Sequence, residues 1–285
     1  MMDNNEFLYG IYASLEGVRY DVLGKSVLGR EIRRYRFGEN AKILLCAGVH
    51  AREWITVLLA VRLALKEKDA CFDLIPCLNP DGTELAVNGI SSVNDEKIRK
   101  NLIKVNGGED FSLWKANARC VDVNVNFDAD WGEGLKNVTS PAPGNYIGRY
   151  AGSEPETQAA VKALKKNYAL VTCYHSLGEV VYWGYESNFR HYKEAKEYAE
   201  YLGYGLMRSE YSSGGMKDYY ALNYDGLGLT AEVGEDVFGH PYPVDRLEDL
   251  EKKHEGSVKL LASLGERIYG RIHGSGSCRS GKSVQ

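Results

Sequence analysis

No stretch of the chain approaches the roughly 18–20 consecutive apolar residues of a membrane-spanning helix, so no spanning segment and no membrane partner are expected. The N-terminus, Met1-Met2-Asp3-Asn4-Asn5-Glu6, lacks the basic region and following apolar stretch of a secretory signal, and a cytoplasmic location is expected. An excess of positive charge is also missing. With 35 Lys and Arg against 39 Asp and Glu, the formal net charge of −4 argues against a nucleic-acid partner held by a general basic field. The six cysteines (Cys46, Cys71, Cys77, Cys120, Cys173, Cys278) are scattered, and four sit in apolar, strand-like surroundings. That usage suits reduced core thiols better than a disulfide framework. The chain is rich in apolar residues: 44% of its 285 residues are hydrophobic and 26% charged, which supports a sizeable core and argues against disorder.

Short apolar runs alternate with helical patterns along the chain, with no internal repeat and no low-complexity linker. Residues 22–37, punctuated by Gly24 and Gly29, alternate as a hairpin does. Residues 43–49 (ILLCAGV), 72–78, 170–175 and 227–233 read as buried strands. Helical spacing is predicted over 53–66, 154–168, 190–202 and 244–269, and the Lys- and Glu-rich part of the last reads as a solvated face. Residues 137–146 (NVTSPAPGNY) form a loop inside the domain. The expectation is a single α/β domain over residues 1–273, a mixed central β-sheet flanked by helices, with a flexible tail at 274–285.

The sharpest chemical signal is His50-Ala51-Arg52-Glu53-Trp54, set where an apolar strand gives way to a helix. A His at a strand's carboxyl end and a Glu in the next turn can converge on one point, and an imidazole with a carboxylate suits zinc. A catalytic zinc site wants three protein ligands and an open position. His175 ends another apolar run and is the best further candidate; His191, His254 and His273 lie among charged or helical residues, and His240 follows Gly239 in a loop. Glu232 is a lone carboxylate in an otherwise apolar strand (LTAEVG), where burial costs several kcal/mol unless something compensates. A metal-bound water or service as a general base would account for it. Between them, Asp122, Asn124 and Asn126 alternate with Val121, Val123 and Val125, so a polar row faces a cleft, or Asn126 closes a turn.

Taken together, GKSVLGR (24–30), GVHAREWIT (48–56), NPDG (79–82), VDVNVNFDADWG (121–132), SEPET (153–157), YHS (174–176), SGG (213–215) and LTAEVG (229–234) resemble the zinc metallocarboxypeptidases, the carboxypeptidase A family, in the family's own order. The resemblance implies the zinc carboxypeptidase-like fold and one Zn²⁺ per chain held by His50, Glu53 and His175, with Glu232 as general base. It also implies that Arg52 contacts substrate and that Asn124 helps hold a substrate carboxylate. Arg119 would stabilise the oxyanion, with Lys115 as its competitor, and Tyr211 is the nearest match to the family's mobile tyrosine.

One position departs from the family. Where carboxypeptidases keep an arginine that forks onto a free C-terminal carboxylate, this chain has Val125. The segments WKANAR…VDVN and YHSLGEVVYWGY are similar to those of bacterial γ-D-glutamyl-diamino acid endopeptidases. That subgroup implies a peptide or muropeptide partner and cleavage of the bond from γ-D-Glu to meso-diaminopimelate, or to lysine. Lys217, at the specificity-pocket position, would pair with the extra carboxylate of diaminopimelate, or else be a solvated surface lysine. The alternatives are a metallocarboxypeptidase on ordinary C-termini, a zinc deacylase of small N-acyl amino acids, and a non-catalytic peptide-binding relative.

Overall fold

The apolar runs at residues 43 and 170 become neighbouring strands at the centre of one sheet, as their burial on both faces requires. The structure is a computed structural model that describes residues 7–186, 188–209 and 213–274. Helix α1 (Phe7–Ser14) leads into the hairpin β1 (Tyr20–Lys25) and β2 (Glu31–Phe37). Then come β3 (Ile43–Cys46), α2 (Ile55–Lys66), β4 (Phe72–Ile75), α3 (Pro80–Asn88), α4 (Glu96–Asn106) and, after a long irregular segment, α5 (Pro155–Leu164). Strands β5 (Leu170–His175) and β6 (Val180–Trp183) follow, with α6 (Tyr192–Leu202), β7 (Gly205–Arg208), α7 (Met216–Asn223) and β8 (Leu227–Glu232). Helices α8 (Leu247–Lys253) and α9 (Ser257–Gly274) complete the described chain.

The eight strands lie in the order β1-β2-β4-β3-β5-β8-β6-β7. Strands β4, β3, β5 and β8 run parallel, β1 and β2 flank them antiparallel, and β6 is antiparallel to β8. This is the mixed sheet expected. Alternation along the central strands sorts side chains to two faces. Ile43, Leu45, Leu170, Tyr174, Leu229 and Ala231 pack with α2, α6, α8 and α9, whereas Leu44, Cys46, Val171 and Cys173 pack with α5 and α7. In this alternation His175 and Glu232 fall on the α5/α7 side, at the carboxyl edge.

One expectation changes. The helix predicted over 244–269 is two helices, because Gly256 takes φ 78° and its N–H, with that of Lys259, is donated to the Glu67 carboxylate (3.0 and 2.9 Å). The alternating row at 121–126 is an irregular segment with a single 3₁₀ turn, Val123–Val125. Strands β6 and β7 were not expected; both have four residues, and β7 is an exposed edge. Among the described residues no helix is long and apolar enough to cross a membrane. The described cysteines are all free thiols; Gly274, the first residue of the expected tail 274–285, ends α9, and the rest of that tail, with Cys278, lies outside the described residues.

Gly48 links the sheet to the loop that follows β3. It adopts φ +61°, and a Cβ there would stand 2.8 Å from Val57 Cγ2 and 2.9 Å from Cys77 Sγ. Its N–H is donated to Thr56 Oγ1 and its carbonyl accepts from Asn79 N–H at 2.8 Å. Backbone strain and overpacking then act in the same direction, so Gly48→Ala is expected to lower stability by about 2–5 kcal/mol in a denaturant titration, with an unchanged m-value.

Candidate metal centre

The chain leaves β3 at Cys46 and delivers His50 just past the strand's end, where a 3₁₀ turn, Ala51–Glu53, swings Glu53 back beside it. Three bonds fix that turn. Glu53 N–H is donated to His50 O (3.2 Å), Ala51 N–H to Lys115 O (3.2 Å), and Thr56 Oγ1 to Glu53 O (2.7 Å). His175 is the last residue of β5 and lies directly across from Glu232, the last residue of β8. Parallel strands ending at one edge therefore bring together residues more than 120 positions apart.

His50, Glu53 and His175 are 6%, 4% and 1% exposed. His50 Nδ1 is 2.8 Å from Glu53 Oε1 and 3.1 Å from His175 Nδ1, which is 3.0 Å from Glu53 Oε2. Ser176 N–H is also donated to Glu53 Oε2 at 3.2 Å. Burial alone would push the Glu53 carboxyl up, yet the two imidazoles outweigh it and hold it well below the usual carboxylate range. Burial opposes a charge on His50, but Glu53 and Asp122 raise its pKa above the ordinary value. An ionised carboxylate facing two ring nitrogens calls for positive charge between them. Tetrahedral zinc, with bonds of about 2.0–2.1 Å, spaces its ligand atoms about 3.3 Å apart, close to this triangle. These are also the described residues whose donor atoms gather closely enough to hold a metal ion. The donor set fits zinc.

The outer nitrogen of His50 faces Asp122, with Nε2 3.3 Å from Oδ1. Asp122 is fully buried and accepts from Asn124 N–H, from Asn145 N–H and from the Lys115 ammonium, 2.8 Å from Oδ2. Burial would raise its pKa, but Lys115 and His50 pull it well below the carboxylate range. A carboxylate behind a ligating imidazole fixes the ring's orientation and raises its basicity. In the sequence Asp122 stands out only as part of a polar row. Its burial and its neighbours Lys115 and His50 depend on the fold and left no local mark.

Glu232 is half-buried beside His175 and makes no hydrogen bond through its side chain among the described residues; burial, with the Glu53 charge, pushes its pKa up to about 7 against the pull of His175. Arg119 turns away: its side chain is 54% exposed and its Nη1 is 3.7 Å from Glu154 Oε2. Lys115, its competitor, stands beside the centre, and its field reaches His50 and Glu232. Asn124 is half-buried, and its Oδ1 accepts from Met216 N–H at the start of α7 (3.4 Å). Lys217 is not a surface lysine. It is 4% exposed, donates to Gly184 O at 2.7 Å and pairs with the neighbouring Asp218. Arg52 is half-buried, with its Nε enclosed and unpartnered. Tyr211 lies outside the described residues. His240, a loop histidine with no motif around it, comes near the centre: burial lowers its pKa, and the fields of Glu53, Arg52, His50 and Lys115 reach it.

Residues 15–243 match the zinc carboxypeptidase family, and the buried His-Glu-His triad falls inside that span. The chain belongs to the zinc carboxypeptidase family. It is a zinc metallopeptidase, as the motif resemblance implied. Over 275 residues it is 30% identical to Gamma-D-glutamyl-L-diamino acid endopeptidase 1 of Lysinibacillus sphaericus, an alignment covering 88% of this chain and 68% of that protein. Its fold is shared with bovine thrombin-activatable fibrinolysis inhibitor, at TM-score 0.73 and 17% identity over 95% of this chain and 98% of that one. The murein-tripeptide amidase MpaA from Escherichia coli O157 has the same fold, at TM-score 0.57 and 22% identity over 90% and 94%.

The carboxylate behind His50 gives a direct check on this metallopeptidase centre. Asp122→Asn keeps the shape but removes the charge that orients the ring, so zinc affinity measured by chelator competition is expected to fall about 10–100-fold.

Proposed function

We propose that the protein hydrolyses the amide bond between γ-D-glutamate and a diamino acid, meso-diaminopimelate or lysine, in peptidoglycan stem peptides. The observation that carries this reading is Val125, a side chain that cannot bind a carboxylate at the position where the family's carboxypeptidases keep an arginine for a free C-terminus. The 30% identity to a γ-D-glutamyl-L-diamino acid endopeptidase over most of the chain supports it. A single zinc ion held by His50, Glu53 and His175 would supply the positive charge that acidifies a water and polarises a carbonyl.

The chain's own residues account for the remaining chemistry. Glu232, free of hydrogen-bonded partners and raised towards neutrality, takes the attacking water's proton and hands it to the leaving amine. Lys115 uses two of its three ammonium donors on Asp122 and on Asn145 Oδ1 (3.2 Å), which leaves one for the developing oxyanion. Arg119, paired with Glu154 and mostly solvated, is the weaker candidate for that task. Lys217 similarly spends donors on Gly184 O and Asp218, and its remaining N–H serves a carboxylate on the diamino acid. Asn124, at the N-terminal edge of α7, orients the same end of the substrate. Tyr211 stays the candidate for a closing tyrosine.

Incubating the zinc-loaded protein with L-Ala-γ-D-Glu-meso-diaminopimelate and with ordinary C-terminal peptides, and reading products by mass, tests the assignment. Release of diaminopimelate, without trimming of ordinary C-termini, is expected; the reverse pattern overturns it. In the same assay Glu232→Gln should lose several orders of magnitude in kcat while retaining zinc. Lys115→Met should cost about 10²–10³-fold in kcat, and Arg119→Met far less. A larger loss for Arg119→Met would return the oxyanion role to that residue. Lys217→Ala should shift the ratio of diaminopimelate to lysine substrate cleaved.

A further inference from the structure

A γ-D-glutamyl amide differs from an ordinary peptide bond on its acyl side. Because the chain continues through the side chain, the glutamate's α-carboxylate stays free, about 5 Å from the scissile carbonyl carbon. An ordinary peptide has no charge there. A site made for this bond needs a cation on the acyl side, separate from whatever holds the diamino acid.

Arg52 sits in the turn between the ligands His50 and Glu53. Its Nε is buried with no partner, and no carboxylate pairs with it among the described residues. Other partly buried arginines do find acids, Arg30 with Asp81 (3.0 Å) and Arg34 with Asp21 (2.9 Å). A half-buried guanidinium without an acid costs free energy that an incoming anion recovers. His240 presents the same feature, a buried Nδ1 with no partner. Its loop is closed at the base: Gly178 N–H is donated to Gly234 O at 2.7 Å, and the Tyr242 ring covers Gly234 so tightly that a Cβ there would be 2.5 Å away. Beyond Tyr242 the chain crosses to α8, which packs on α2, with Arg62 Nη1 3.1 Å from Glu251. The charges of Arg52, His50 and Glu53 all act on the His240 ring, so the loop carrying His240 lies beside the Arg52 turn. Lys217 and Asn124 belong instead to α7 and its approach, on the opposite face of the sheet.

We propose that Arg52 and His240 form the pocket for the free α-carboxylate of the γ-linked D-glutamyl residue, Arg52 forking onto it and His240 donating one ring N–H. This rests on the endopeptidase reading above and assigns the acyl half of the substrate. The leaving diamino acid lies on the α7 side, and the scissile bond spans the metal centre between them.

The test uses two tripeptides that differ at one group: L-Ala-γ-D-Glu-meso-diaminopimelate and its D-isoglutamine counterpart, in which the α-carboxylate is a carboxamide. The full zinc-loaded chain is expected to favour the acid by at least about tenfold in kcat/KM, as a charged hydrogen-bond pair implies. Arg52→Gln should bring that ratio close to one, and His240→Gln should reduce it, with zinc content and melting temperature confirming folded protein. Calorimetry on the unaltered protein should show the acyl product L-Ala-D-Glu binding more tightly than L-Ala-D-isoglutamine. That comparison needs no variant, so a misfolded Arg52→Gln does not shield the inference. Equal handling of acid and amide, or an acid preference that survives Arg52→Gln, overturns the carboxylate pocket and leaves the endopeptidase reading in place. Cleavage of neither tripeptide, with trimming of ordinary C-terminal peptides, overturns both.

Discussion

The buried carboxylate of Glu53 is the constraint on which the site depends. A 4%-exposed ionised acid is unaffordable by itself, and it is tolerated because His50, His175 and the Ser176 N–H all converge on it. That convergence in turn requires β3 and β5 to be adjacent, parallel and in register, Cys46 opposite Cys173, so that both chains emerge at one edge. The next pairing, His175 opposite Glu232, sets the lone acid of β8 beside the same point. Fold and chemistry are thus coupled through strand register: slipping β5 or β8 by one residue would turn His175 or Glu232 to the other face.

Much of this arrangement was legible in the sequence because its carriers are local. Buried parallel strands are continuous apolar runs, and the turn that returns Glu53 to His50 spans four residues, so both leave compact marks. Strands β6 and β7 were not expected: each has four residues, and the largely solvated edge strand β7 (GLMR) shows neither an apolar run nor clean alternation, whereas β6 (VVYW) is an apolar run too short to separate strand from helix. The alternation at 121–126 did not reveal its partners, because each polar side chain there answers to a different distant group. Asp122 turns to His50 and Lys115, and Asn126 donates to Ile147 O and accepts from Glu154 N–H. Such pairings are set by tertiary structure alone.

Lys115 and Arg119 illustrate the same limit at closer range. They sit four residues apart in one irregular segment, and no spacing rule says which cation faces the centre. The decision is made by Asn117, whose amide donates to Glu154 and Glu156 while its oxygen accepts from Arg119 N–H and Val121 N–H. This knot pulls the Arg119 end of the loop towards the SEPET segment. Lys115, on the other side of the knot, is left against Asp122. A guanidinium would be the obvious choice for an oxyanion; on the proposed reading, a lysine already tethered to the acid behind His50 offers instead a compact point charge whose position is fixed by that tether.

Charge placement also explains why Val125 need not mean a lost function. In a carboxypeptidase the substrate's decisive anion is the C-terminus, so the cation belongs beside Asn124. On the proposed reading the decisive anions are elsewhere: one on the diamino acid, within reach of Lys217, and one on the γ-linked glutamate, within reach of Arg52. An additional arginine at 125 would reward ordinary C-termini at the same metal centre and erode the distinction. A hydrophobic residue there removes that attraction, while the unpartnered Nε of Arg52 keeps a positive charge available on the acyl side. Specificity then arises from where positive charge has been withheld as much as from where it has been supplied.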